Sequence, residues 1–327
     1  MSHYNIPIFT PQLACPHCCI FCNQKHISGQ LKAPKPEDVR TTIEQYLSTI
    51  KEGSEVEVAF FGGSFTCLDS SLQEAYLKEV QPYIKEGRVQ AIRLSTRPDY
   101  IDRETLDRLQ HYNVLDIELG AQSLDDEVLQ YSERGHSVED VEKASELINF
   151  YGFNLGLQMM IGLPLDTLDK SIYTAKKILS LNAKSTRIYP TLVIEHTTLA
   201  KLYREGKYSA LSIPEAIEWT KEIYKIFSAT DITILRVGLH PSKDILSGKG
   251  FLTGPFHVSF FELVLSSLWK DKIQAMPQGI NELHINPMDV NYVVGYKSSN
   301  KPYLQSLNPQ LKIIQDTSIA KGDFWVV

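Results

Sequence analysis

The sequence predicts an α/β fold: a partial (β/α)6-type TIM barrel over residues 1–240, followed by a small helical and α/β appendage over 241–327. Three observations lead there. Short apolar, β-branched runs alternate with segments of helical period along most of the chain. Several runs are nearly continuous in apolar residues, as parallel strands covered on both faces are. Glycine and polar residues gather at the same end of run after run, where a barrel carries its βα loops.

In chain order, the strand-like runs are "NIPIF" (5–9), "EVEVAFF" (55–61), "AIRLST" (91–96), "VLDIELGAQ" (114–122), "FNLGLQMMIG" (153–162), "TRIYPTLVI" (186–194) and "ITILRVGL" (232–239). Between them lie amphipathic helices. Val39, Ile43, Leu47 and Ile50 fall on one face of 37–50. Val138, Val141, Ala144, Leu147 and Ile148 do so in 137–150, behind a Ser137 N-cap with Asp140 three residues on. Pro214 opens a helix over 214–228, where a fixed φ and a missing N–H cost nothing. This order fits one barrel better than two separate domains, although a doubly wound open sheet shares the periodicity. The apolar stretch 256–269 reads as a core helix. Beyond residue 270 the pattern changes: "INELHINPMDVNYVVGY" reads as strand, turn and strand, and the chain ends on the β-favouring "DFWVV".

Composition narrows the function. The 327 residues are 43% apolar and 22% charged, ordinary for a soluble globular protein. A net charge of −6 carries no global basic signature of nucleic-acid binding. The N-terminus lacks a charged start followed by an apolar run, so it is not a signal peptide. The stretch 256–269 contains Glu262 and is too short to span a bilayer. A cytoplasmic protein with no membrane contact is therefore expected. In that reducing setting, clustered cysteines point to metal or catalysis more than to disulfides.

Four of the five cysteines lie in "CPHCCIFC" (15–22). Cys15, Cys18 and Cys22 with His26 can supply the four ligands of a zinc tetrahedron, but no second CxxC or HxxxH half is present. The alternative pairing, CxxxCxxC through Cys15, Cys19 and Cys22, gives three thiolates to an iron–sulfur cluster and leaves one iron open. The loop follows the first strand of the barrel, and a glycine pair, Gly62–Gly63, follows the second. Together these favour the cluster.

That combination resembles the radical S-adenosylmethionine superfamily. Ordered segments including "FFGGSFT", "STRPDYID", "DIELGAQSLDDEVL", "GLQMMIGLPLDT" and "RIYPTLVIEHTTLAKLYREGKYS" resemble the radical domain of the elongator complex catalytic subunit, from about residue 5 to about 225. The resemblance implies a 4Fe-4S cluster at Cys15, Cys19 and Cys22. It also implies S-adenosyl-L-methionine across the barrel mouth, cleaved by one electron to a 5′-deoxyadenosyl radical, and an electron donor such as flavodoxin or ferredoxin. Three features depart from elongator relatives. No acetyltransferase domain is recognisable in residues 226–327, the first cysteine comes as early as position 15, and the first cysteine gap is tighter.

Residue by residue, the resemblance gives each candidate two readings. Gly62 and Gly63 let backbone approach the cofactor's amino group, or simply form a βα turn. Ser64 stands where many members of the superfamily carry an acid. Arg97 can grip the cofactor's carboxylate and Gln122 its ribose hydroxyls, or each can orient loops. Arg134 faces the same pocket, or leads into the helix capped by Ser137. Of Met159 and Met160, one packs adenine and the other fills core, with Met160 taken as the cofactor wall. Tyr189 is a candidate substrate contact. His240 is a rim acid or base, or a loop cap. Cys67 reads as a small buried hydrophobe, and Cys18 has no assigned partner. Three functions compete: a radical enzyme acting on RNA, tRNA included, or on a nucleoside; one acting on a small molecule, as coproporphyrinogen oxidases do; and a non-catalytic zinc-binding protein.

Overall fold

A computed structural model of the chain describes residues 3–10, 19–23, 34–239, 243–248 and 250–327. Seven strands form one parallel sheet: β1 (His3–Thr10), β2 (Glu55–Gly62), β3 (Ala91–Thr96), β4 (Val114–Gln122), β5 (Asn154–Ile161), β6 (Ser185–Pro190) and β8 (Thr233–Val237). They pair in that order, with β1 and β8 at the two edges, so the barrel is open. Every strand-like run of the sequence supplies a strand of this sheet.

The sixth run is broken. Pro190 ends β6, and Thr191 N turns back to Ile161 O at 3.0 Å. Val193–Ile194 then forms the short β7, which pairs antiparallel with β9 (Phe251–Thr253). The helices begin where their caps demand. Ser137 Oγ accepts from Asp140 N, and Asp140 Oδ2 accepts from Ser137 N, at the head of Val138–Phe150. Ser212 and Glu215 form the same box ahead of Ile213–Ser228, placing Pro214 in its first turn.

One face of the sheet packs on these helices. Val58, Phe60, Ile92, Leu94, Ile117, Leu119, Leu155, Leu157, Met159 and Ile188 are fully buried there. The other face departs from the expectation of strands that are apolar on both sides. Alternate residues Glu57, Arg93, Asp116, Glu118, Gln158 and Arg187 meet across neighbouring strands inside the half-barrel. The interior of an open barrel is not filled by hydrocarbon, so its lining is polar and self-paired.

Beyond β8, a second sheet of order β11-β10-β12 joins β10 (Glu282–Ile285), β11 (Lys312–Gln315) and β12 (Phe324–Val326). The expected strand in the second half of 280–296 is instead Pro287–Asp289, a 3-10 turn, followed by the helix Val290–Val294. Asn286 caps Met288 N, Pro287 sets the first turn, and Asn300 Nδ2 bonds Tyr292 O and Ser266 O. Those local bonds outweigh the β-propensity of "VNYVV". The apolar stretch 256–269 contributes to the helix Phe260–Gln274, which serves two cores. Phe260 and Val264 pack on the barrel, while Trp269 and Ile273 pack with Leu283, Ile285 and Val293.

Candidate active site

The C-terminal ends of the strands converge on one rim. At its first position Thr10 O accepts from Gly63 N at 2.6 Å. Gly62 has φ +107, and a Cβ there would stand 2.8 Å from Thr10 O. The glycine requirement at 62 therefore follows from the packing of β1 against β2. Ser64, buried, bonds Thr96 Oγ1 at 2.8 Å and accepts from Arg97 N at 3.0 Å, so its hydroxyl ties the loop after β2 to the loop after β3.

Arg97 is 2% exposed and bonds within the protein. Nε and Nη2 grip the Asp99 carboxylate at 2.9 and 3.0 Å, and Nη2 also donates to Arg134 O at 2.7 Å. Arg134, next along this chain of contacts, donates from Nη1 to Cys19 Sγ at 3.2 Å and from Nη2 to Gly120 O at 2.7 Å. Gln122 sits beside them in a left-handed conformation (φ 67), after a register shift in β4 between Leu119 and Gln122. A Cβ at Gly120 would meet both Arg134 Nη2 and Gln122 Nε2 at 2.8 Å. Such backbone strain in a polar side chain at a rim is characteristic of functional sites.

The cysteine segment is docked rather than loose. Ile20 N donates to Ser132 O, Leu199 N donates to Ile20 O, and Ile20 packs with Val193, Leu199, Ala200 and Tyr208. Cys22 N donates to Cys19 O at 3.0 Å, which closes the two cysteines into one turn. Cys19 is buried and Cys22 half-buried. Cys15, Cys18, His26 and His240 lie outside the described residues. Among the described residues, no group of three His, Cys, Asp or Glu can hold a metal ion. Cys67 is half-buried in the turn Phe65–Cys67.

Met159 is fully buried among the helix-facing residues, whereas Met160 is half-buried on the barrel side and in register with Tyr189. Arg187 pairs with Glu118 through Nη2 at 3.0 Å and Nε at 2.5 Å, and its guanidinium lies 5.3 Å from the Phe61 ring. Arg93 bridges Glu57, Asp116 and Glu118. Burial opposes the charge of Glu118, yet Arg187 and Arg93 hold its carboxyl below the usual range; burial raises Asp116. Arg236, in register with Arg187, is half-buried and has no carboxylate partner among the described residues. Burial, together with the Arg187 charge, lowers its pKa.

Two groups stand out that the motifs did not single out. His136 is buried, with Nε2 3.3 Å from Ala121 O and Nδ1 without a partner among the described residues; burial and the charges of Arg134 and Arg97 push its pKa down to about 3. The interior lattice is the other. Its signal was present in the sequence: Glu57, Arg93, Asp116, Glu118 and Arg187 all occupy alternate positions of otherwise apolar strands.

A thiolate ligand fits this environment. Cys19 Sγ receives a charged donor, and Ile20 next to it is tied to Ser132 and Leu199. Gly120, without a Cβ, lets the Arg134 and Gln122 side chains close over β4 beside it.

A family model described as the Radical SAM superfamily matches residues 9–178, and one described as the Radical_SAM C-terminal domain matches residues 183–270. The tRNA uridine(34) acetyltransferase of Dehalococcoides mccartyi is 26% identical over 238 residues, covering 62% of this chain and 52% of that protein. Elongator complex protein 3 of Schizosaccharomyces pombe is 28% identical over 192 residues, covering 53% of this chain and 35% of that protein. The chain thus spans about half the length of such relatives, or less. Archaeal Elp3 from Methanocaldococcus infernus shares the fold, with a TM-score of 0.67 at 22% identity over 83% of this chain and 63% of that one. No helix among the described residues is long and apolar enough to cross a membrane.

Proposed function

Because the chain belongs to the radical SAM superfamily, we propose that it cleaves S-adenosyl-L-methionine reductively and uses the resulting radical on RNA or a nucleoside. The observation that carries this reading is the docked Cys19–Cys22 turn, set against the buried guanidinium of Arg134 at the strained end of β4. Cys15, Cys19 and Cys22 would hold a 4Fe-4S cluster. When bound, that cluster supplies the single electron that breaks the sulfonium C–S bond.

The protein's part is to orient and to exclude water. Gln122, at the strained end of β4, and the half-buried Met160 would line the nucleoside portion of S-adenosyl-L-methionine. Gly62, Gly63 and Ser64 shape the facing loop, and Arg97 holds Arg134 in place through its carbonyl. Tyr189 and the half-buried Arg236, which has no carboxylate partner among the described residues, would offer an aromatic face and a cation to an anionic substrate. The names of the curated relatives favour tRNA as that substrate. Acetyl transfer is not carried over, since the matched region covers only part of those proteins. The net charge of −6 keeps a second reading in play: a small anionic molecule such as a porphyrinogen.

Anaerobically purified protein should be brown and carry about four irons per chain. With dithionite it should release 5′-deoxyadenosine from S-adenosyl-L-methionine. Bulk tRNA should stimulate that release more than coproporphyrinogen does; the reverse order would support the small-molecule reading. A colourless protein with stoichiometric zinc would sink both. Flavodoxin or ferredoxin is the expected physiological reductant.

A further inference from the structure

Arg134 is held from several directions. Its backbone N donates to Leu129 O at 3.0 Å, its carbonyl accepts from Arg97 Nη2, and its Nη2 donates to Gly120 O. The residues on either side, Glu133 (φ 49) and Gly135 (φ 77), are both left-handed, which fixes where the side chain points. That side chain is aimed at Cys19 Sγ, 3.2 Å from Nη1; Arg134 is 7% exposed and Cys19 4%.

Among the described residues, no carboxylate neutralises the charge of this guanidinium and its buried Nε has no partner. His136, two residues on, is held neutral. A buried cation without a counter-charge is costly. The one soft, ionisable acceptor on Arg134 is the sulfur. Any cluster bound at that sulfur therefore lies next to a fixed positive charge and an N–H donor.

We propose that Arg134 sets the reduction potential of the iron–sulfur cluster bound at Cys19. The inference rests on the cluster reading above and deepens it. Reduction adds one negative charge to the cluster. A fixed positive charge and an N–H···S hydrogen bond both stabilise the more negative state, and hydrogen bonds to the sulfurs are among the levers that set cluster potentials. Arg134 thus makes the cluster easier to reduce and takes no part in bond breaking. It is a positioning and tuning residue, linked through its carbonyl to Arg97.

The test is an anaerobic redox titration of the full-length, iron-loaded protein, followed by electron paramagnetic resonance, in wild type, Arg134→Gln and Arg134→Lys. Arg134→Gln should lower the midpoint so that the reduced-to-oxidised ratio at a fixed poise falls about tenfold, about 60 mV for a one-electron couple. Arg134→Lys keeps the charge but not the planar fork, and should fall by less. Iron content should stay near the wild-type value in both. Wild-type midpoints in both variants, at full iron content, would overturn the inference and leave the cluster reading intact. If one variant fails to fold, the other still decides the matter. Wild-type protein that binds no iron would overturn the cluster reading itself.

Discussion

The two faces of the barrel sheet are built from the same strands by opposite chemistry. On the helix side, Leu94, Leu119, Leu157 and Ile188 form an unbroken hydrocarbon surface. One residue away along each strand, Arg93, Glu118, Gln158 and Arg187 form a closed lattice of charge and hydrogen bonds. Burial of apolar area on the first face supplies folding free energy. The second contributes little net stability, because desolvating its charges costs about what their pairing returns. What it supplies is a rigid, polar, pre-shaped interior directly beneath the mouth.

The largest test of this contrast is Glu118→Ala. Glu118 is 1% exposed and compensates both Arg93 and Arg187. Its loss leaves buried guanidiniums short of a counter-charge and should cost about 3–5 kcal/mol in urea unfolding. Replacing Glu118 and Arg187 together by Met should recover much of that loss. A double variant no more stable than Glu118→Ala would show that the lattice is itself a source of stability and erase the distinction between the faces.

Neighbouring residues on β5 sharpen it. Leu157→Ala should cost about 2–4 kcal/mol by cavity formation, in the usual range for a buried leucine. Gln158→Ala, which removes hydrogen bonds to Glu118 and Ser95, should cost about 1–2 kcal/mol. Denaturant midpoints of the two variants give the comparison directly.

His136 tests the rim, where the faces meet. Burial and two nearby arginines lower its folded pKa to about 3, against an unfolded value near 6.5. The neutral ring therefore contributes stability that is fully present above pH 6.5 and is lost progressively as pH falls toward 3. Thermal melts of wild type between pH 7 and pH 5 should fall more steeply than those of His136→Gln; parallel curves would refute the assignment. The smallest effect is expected at Ser64. Ser64→Ala removes a buried hydroxyl from the Thr96 and Arg97 contacts and should cost about 1 kcal/mol, read from the same melts.

These contrasts also show what a sequence reveals. All seven strands of the barrel sheet were legible because each is a short, mostly apolar run set between segments of helical period, a pattern that survives in one dimension. The polar lattice was hidden in the same runs. Glu57 and Arg93 look like isolated charges until the sheet brings them within 3.0 Å, across 36 positions of sequence. The role of Arg134 was open for the same reason, since its partner Cys19 lies 115 residues away. The helix at Val290–Val294 was misread because Asn286 and Asn300, on either side, outweigh the β-branched residues between them. Motif spacing pointed to the cysteines and glycines, but it does not say which polar side chains are already engaged within the protein, as Ser64 and Arg97 are.

The helix Phe260–Gln274 has a consequence for how the molecule comes apart. Phe260 and Val264 belong to the barrel core, while Trp269 and Ile273 belong to the core of the second sheet. Like a beam resting on two walls, it cannot leave one without loosening the other. Heating should therefore melt barrel and appendage in a single calorimetric transition, and a cut made anywhere along this beam should release two unstable fragments rather than two modules.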